Sequence, residues 1–161
     1  FPLFIYTVIF IFKEIYIDII RKREFRQINQ RLTTLTLKKD KEQTPWQDLK
    51  PGDFVTLYNG DICPADIVVL NTSLAKGGGK ICWVDTQGVE GFTSYDMKRA
   101  VQATRSVRNL LAFSGWLTYE PPNGNISRFK GFIKTDGSFY NEQLSIDNLI
   151  LRGSVIKNTD L

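Results

Sequence analysis

The chain has 161 residues, with 21 Lys and Arg against 17 Asp and Glu, no histidine and two cysteines. Without histidine there can be no Ser-His-Asp or Cys-His triad and no zinc site with imidazole ligands; Cys63 and Cys82 are too few for a four-thiolate metal centre and suit a reducing compartment. Nine basic and five acidic residues fall between 13 and 42 and twelve of each between 43 and 161, so the body lacks the positive face of a nucleic-acid binder, and no nucleic-acid partner is expected.

Residues 1–12, FPLFIYTVIFIF, carry no charge, and apolar character resumes at Ile15, Tyr16, Ile17, Ile19 and Ile20. A membrane-crossing helix needs about 20 mostly apolar residues. The run is shorter than that and opens with Phe, so it reads as the C-terminal part of a transmembrane helix; an apolar run of this length also suits a buried core helix. Lys13, Glu14 and Asp18 set the membrane boundary near residue 12 or 13. Arg21, Lys22, Arg23 and Arg26 come next, and basic residues just outside a span stay on the cytoplasmic side. Asp18 and Lys22 have the acid-then-base spacing of four that supports a helix. The segment 13–31 is therefore expected to be a cytoplasmic stalk helix, ending at about Gln30.

From Leu32 the period shortens. Leu32, Leu35 and Leu37 among threonines predict a half-exposed strand, and the charged stretch 38–42 a loop. Lys50-Pro51-Gly52-Asp53 predicts a turn. Phe54, Val55 and Leu57 form the next strand, Asn59-Gly60 is a hairpin signal, and residues 67–70 a more buried strand. Lys76-Gly77-Gly78-Gly79-Lys80 leads to a strand over 81–84. It is not a phosphate-binding loop, because Ile81 and a strand stand where a Ser or Thr and a helix are needed. Residues 94–113 are the one helical stretch expected in the body, capped by Ser94, with Met97, Val101, Val107, Leu110 and Leu111 on one face only if the helix kinks. Short strands come after it, separated by Pro121-Pro122-Asn123-Gly124 and Asp136-Gly137, and the last runs over 144–156 with a break at Gly153. Many short strands and tight turns predict a mainly β sandwich or distorted barrel.

Local chemistry alone offers little. Asp85, Glu90 and Asp96 are close in sequence and include a candidate general base, although acids in such a loop are commonly solvated or capping. No dense basic cluster adjoins Cys63 or Cys82 to lower a thiol pKa, so both read as buried structural thiols.

The stretch Cys82-Trp83-Val84-Asp85-Thr86-Gln87-Gly88-Val89-Glu90-Gly91-Phe92-Thr93 resembles the pattern CYVETANLDGETNLK of the actuator domain of type IV P-type ATPases, the phospholipid flippases. The resemblance covers nearly the whole chain. Lys13-Glu14, Tyr16, Asp18 and Arg21 are similar to the stalk leaving the second membrane helix, and Asn29 and Arg31 to the segment after it. Trp46, Asp48, Leu49, Gly52 and Asp53 match the start of the domain, and Pro64-Ala65-Asp66 with Val69-Leu70 matches the PAD element. Leu144-Ser145-Ile146-Asp147-Asn148-Leu149 with Leu151-Arg152-Gly153 resembles PLSLDNLLLRG, and Asn158-Thr159 fits the family's next few positions.

The resemblance implies an actuator domain over residues 32–161, with a distorted jelly-roll or double-stranded β-helix fold. In that family ATP, with magnesium, phosphorylates an aspartate in a separate domain of the same chain. The actuator domain then rotates its DGET loop onto the phosphoaspartate. The loop glutamate positions and deprotonates the hydrolytic water, and the rotation moves a phospholipid to the cytoplasmic leaflet. The implied partners are the bilayer, the phosphorylation and nucleotide-binding domains, and an accessory flippase subunit. No cofactor is expected in residues 1–161 themselves. The site positions are Gly91, Phe92 and Thr93, and here the sequence departs from the family: Phe92 stands where the family has its catalytic glutamate. A phenyl ring cannot accept a proton. Glu90, where the family has aspartate, is the remaining weak substitute, one position early. Slow dephosphorylation is the resulting expectation, beside the alternative of a non-catalytic regulatory or scaffolding module, for example one fused to a cyclase.

Overall fold

In the computed structural model, which describes residues 2–37, 40–76, 79–91, 94–104, 113–121, 123–136, 141–159 and 161, a single helix α1 (Pro2–Asn29) leads into a mainly β body of antiparallel sheets. The front of α1 is apolar on all sides, and no residue of the helix is buried. Within it Thr7 Oγ1 donates to the Leu3 carbonyl at 2.9 Å, which hides a polar group against the backbone. Lys22 and Asp18 form the expected ion pair at 2.8 Å. Among the described residues, no helix is long and apolar enough to cross a membrane.

The body opens with β1 (Leu32–Leu37), which pairs with β2 (Asp40–Pro45) in a hairpin from Leu32↔Pro45 to Leu37↔Asp40. The charged stretch expected to be a loop thus contributes the first half of a strand, and residues 38 and 39 lie outside the described residues. Lys41 and Glu42 are exposed on this edge, where charge is tolerated and discourages pairing with another chain. The other edge of β1 pairs with β3 (Val55–Thr56).

Asn59-Gly60 forms a turn, with Gly60 at φ 93° and Asp61 N–H donating to the Tyr58 carbonyl at 2.9 Å. It does not close a hairpin between neighbouring strands. Leu57 and Gly60 instead pair with Leu161 and Ile156 near the end of the chain, and β4 (Ile67–Val68) pairs with β11 (Leu149–Ile150). A turn signal encodes local geometry, and the partner is chosen by which apolar faces can be buried together.

β5 (Ala75–Lys76) and β6 (Gly79–Asp85) form a hairpin around residues 77–78, which lie outside the described residues. Residues 83–85 of β6 pair with both β7 (Tyr95–Arg99) and β12 (Val155–Lys157), so β6 runs between them. This overturns the helix expected over 94–113, whose first part is β7 in five-residue register with β6; residues 105–112 lie outside the described residues. Five cross-strand pairs outweigh local helix propensity, and no kink is then needed to bury Val101. A three-stranded meander comes next: β8 (Gly115–Tyr119), β9 (Gly131–Thr135) and β10 (Asn141–Leu144), in the order β10-β9-β8. The strand expected over 144–156 is divided among the end of β10, a 3-10 turn (Ile146–Asn148), β11 and β12. Ser145 and Asn148 form a reciprocal capping box that stops the strand and starts that turn.

The core has two parts. Leu57, Cys63, Val69, Cys82, Val84, Ala100, Ile150 and Ile156 form the larger, around β6. Val101, Ile133 and Leu144 form the smaller, under the meander.

Candidate functional site

The hairpin of β6 and β7 ends in a loop containing the motif positions. Thr86 leaves β6 into a single helical turn α2 (Gln87–Glu90), and Gly91 closes that turn with its N–H donating to the Gln87 carbonyl at 3.0 Å. Gly91 sits at φ 81°, a left-handed conformation that costs an L side chain about 1–2 kcal/mol. Thr86 N–H donates to the Ser94 carbonyl at 3.1 Å and shuts the loop at its base. Gly91, at the tip, is exposed. Phe92 and Thr93, the other two expected site positions, lie outside the described residues.

Glu90 does not reach outward from this tip. Its half-buried carboxylate accepts from Thr86 Oγ1 at 3.0 Å, so a hydroxyl at the loop base holds it. Asp85 is used in the same local way: its Oδ1 accepts from Gln87 N–H at 3.0 Å at the start of α2. Asp96 Oδ1 accepts from Ser94 Oγ at 3.4 Å. Of the three acids read from sequence as candidate bases, two are thus capping or bracing groups of the loop, and the third pairs with a lysine.

That lysine, Lys98, carries no motif in the sequence. Its side chain is 8% exposed, and its Nζ lies 3.6 Å from Asp96 Oδ2 and donates to the Ile146 carbonyl at 3.1 Å. Asn148 Nδ2 donates to the Arg99 carbonyl at 3.0 Å, so two contacts tie β7 to the 146–148 turn. A Lys in an alternating strand reads as solvent-facing, and only the distant segment beneath it reveals the burial. The loop also rests on the turn between β11 and β12: a Cβ on Gly88 would lie 3.0 Å from the Gly153 carbonyl oxygen. A half-open depression of about 260 Å³ lies beside the loop, lined by Thr86, Glu90, Asp96, Lys98, Asp147 and Ser154 among others. Ser154 Oγ is buried there without a hydrogen-bond partner among the described residues.

Both cysteines are structural. They belong to the larger core, and burial pushes each thiol from 9.0 up to about 12. A thiol protonated at neutral pH is a poor nucleophile. Among the described residues no group of three or more Cys, Asp or Glu is placed to hold a metal ion. Among the described residues the loop is a tight bend exposed at Gly91, with Asp85 and Glu90 hydrogen-bonded within it.

No family model matches the chain. It is 33% identical over 147 residues to human phospholipid-transporting ATPase IK, an alignment covering 89% of this chain and 11% of that protein. It is 32% identical over 121 residues to phospholipid-transporting ATPase DNF1 of Saccharomyces cerevisiae, covering 71% of this chain and 8% of that one. Guanylate cyclase alpha of Plasmodium falciparum is 32% identical over 165 residues, which is 99% of this chain and 4% of the cyclase. The chain therefore spans only a small part of the length of the curated relatives it matches. With about 30% identity to such ATPases over most of its length, the chain belongs to the family of type IV phospholipid-transporting ATPases.

Proposed function

We propose that residues 32–161 are the actuator domain of a phospholipid-translocating P-type ATPase, folded as a distorted jelly-roll, and that the loop centred on Gly91, Phe92 and Thr93 meets a phosphoaspartate held by another domain of the parent protein. The observation that carries this reading is the β6–β7 loop, a tight left-handed bend exposed at Gly91 with Gly88 close against the Gly153 carbonyl. ATP and magnesium act in the phosphorylation and nucleotide-binding domains, the apolar front of α1 lies at the bilayer with the body on the cytoplasmic side, and an accessory subunit is a further partner.

The sequence has Phe92 where a general base is needed, and Glu90 is held by Thr86. Dephosphorylation is then slow. The test is phosphoenzyme decay in the full-length protein beside a Phe92→Glu variant. The variant is expected to accelerate decay by about 10²- to 10⁴-fold, the usual contribution of a general base. Rapid wild-type decay, unchanged by the substitution, overturns the reading.

A second reading, prompted by the weaker match to a small part of the Plasmodium cyclase, is a regulatory or scaffolding module on the same fold. Absence of phosphate incorporation from labelled ATP in both wild type and Phe92→Glu selects it.

A further inference from the structure

Four separated stretches of the sequence meet where α1 joins the body. The covalent connection is short: α1 ends at Asn29, β1 starts at Leu32, and Gln30 and Arg31 lie between. Across from it, Trp46 N–H donates to the Arg31 carbonyl at 2.9 Å, and the Arg31 guanidinium lies 5.6 Å from the centroid of the Trp46 ring. The Arg152 guanidinium also packs against this indole, at 5.9 Å, and its Nη2 donates to Asn29 Oδ1 at 3.4 Å. Arg152 is fixed in turn, since its backbone N–H donates to Asp66 Oδ1 at 2.8 Å and the next residue, Gly153, donates to the Cys63 carbonyl at 2.9 Å. A continuous path thus runs from the buried core at Cys63, through Arg152 and Trp46, to the last turn of α1.

We propose that Trp46 is a positioning residue that, held by Arg31 and Arg152, fixes the direction of α1 relative to the β body so that helix and body turn as one lever. The connector amides bond back to the helix end, Gln30 N–H to the Arg26 carbonyl at 2.9 Å and Arg31 N–H to the Ile28 carbonyl at 3.2 Å, which leaves the torsions between Arg31 and β1 as the pivot. Two guanidinium groups packed on one indole, with a hydrogen bond back to the helix end, remove that freedom. Asn29, Arg31, Trp46, Asp66 and Arg152 have no role at the loop site, yet they converge here from positions up to 123 apart. The junction stands on this geometry alone; its use as a lever in lipid transport rests on the proposed function.

The experiment is a distance measurement between spin labels at Glu24 and Gln143, both exposed, introduced through a ketone-bearing amino acid into the nucleotide-free, full-length protein in bilayers. Wild type is expected to give one narrow distribution. In Trp46→Ala a second, broader population appears, with the locked-to-unlocked ratio falling about 5- to 30-fold, as expected for losing two cation–π contacts. Trp46→Phe, which keeps an aromatic face, restores the narrow distribution. Arg152→Gln leaves the backbone bond to Asp66 in place and broadens the distribution too, a check that does not depend on Trp46→Ala folding. Narrow distributions in both Trp46→Ala and Arg152→Gln, or a Trp46→Phe distribution as broad as that of Trp46→Ala, overturn the proposal. This readout does not involve phosphoenzyme chemistry, so its failure leaves the Phe92 result standing on its own.

Discussion

Lys98 shows how one side chain joins two distant segments. Its ammonium is almost wholly buried and donates to a carbonyl 48 positions away. Replacing it by Met leaves the Ile146 carbonyl without its donor and Asp96 without its counter-charge. Lys98→Met is expected to destabilise the fold by about 1–3 kcal/mol, the cost of an unmet buried polar group, as read by urea denaturation. Cys63 and Cys82 make a prediction in pH. Burial raises both thiols from 9.0 to about 12 in the folded state, so the fold prefers the protonated form. This contribution is fully present below pH 9 and is lost as the pH rises through about 12, because the unfolded chain ionises first. Stability is expected to decline from about pH 9 upward, and a Cys82→Ala variant to show a shallower decline, measured by denaturant midpoints across that range.

At the scale of elements, the α2 loop depends on two glycines for different reasons. Gly91 has no neighbour within 4 Å of a would-be Cβ among the described residues but a left-handed backbone, so Gly91→Ala costs about 1–2 kcal/mol through strain. Gly88 has ordinary backbone torsions, yet a methyl there meets the Gly153 carbonyl at 3.0 Å. Gly88→Ala must therefore shift the loop against the turn beneath it. Amide hydrogen exchange separates the two: Gly88→Ala is expected to raise exchange at both α2 and the Gly153 turn, and Gly91→Ala at α2 only. The meander behaves differently. β8 is an edge strand exposed along its full length, and Trp116 is 75% exposed. Trp116→Lys is expected to change stability by no more than about 0.5 kcal/mol, as for surface sites generally. It should also lower self-association in sedimentation, since exposed apolar edges invite pairing with another chain.

Taken whole, the molecule is an exposed helix, apolar at its front and charged beyond Phe12, attached to a body whose motif loop and helix junction both contact one segment. The 145–154 stretch supplies the Ile146 carbonyl to Lys98, the Gly153 carbonyl beneath Gly88, and Arg152 to Trp46.

The mainly β class and the long N-terminal helix with its Asp18–Lys22 pair were legible because they depend on local period and spacing, while the expected turns at Pro121-Pro122-Asn123-Gly124 and Asp136-Gly137 lie partly outside the described residues. The family, too, was legible from ordered motifs. Sequence misjudged β7, because its local pattern also suits a helix and only the five pairs with β6 decide between the two. It misjudged the partner of the Asn59-Gly60 turn as well, because register is set by faces that meet only in three dimensions. The burial of Lys98 and the meeting of Asn29, Arg31, Trp46 and Arg152 were decided by tertiary structure alone. Each depends on atoms brought within hydrogen-bonding or van der Waals distance across long loops, and those are short-range forces that a linear pattern does not record.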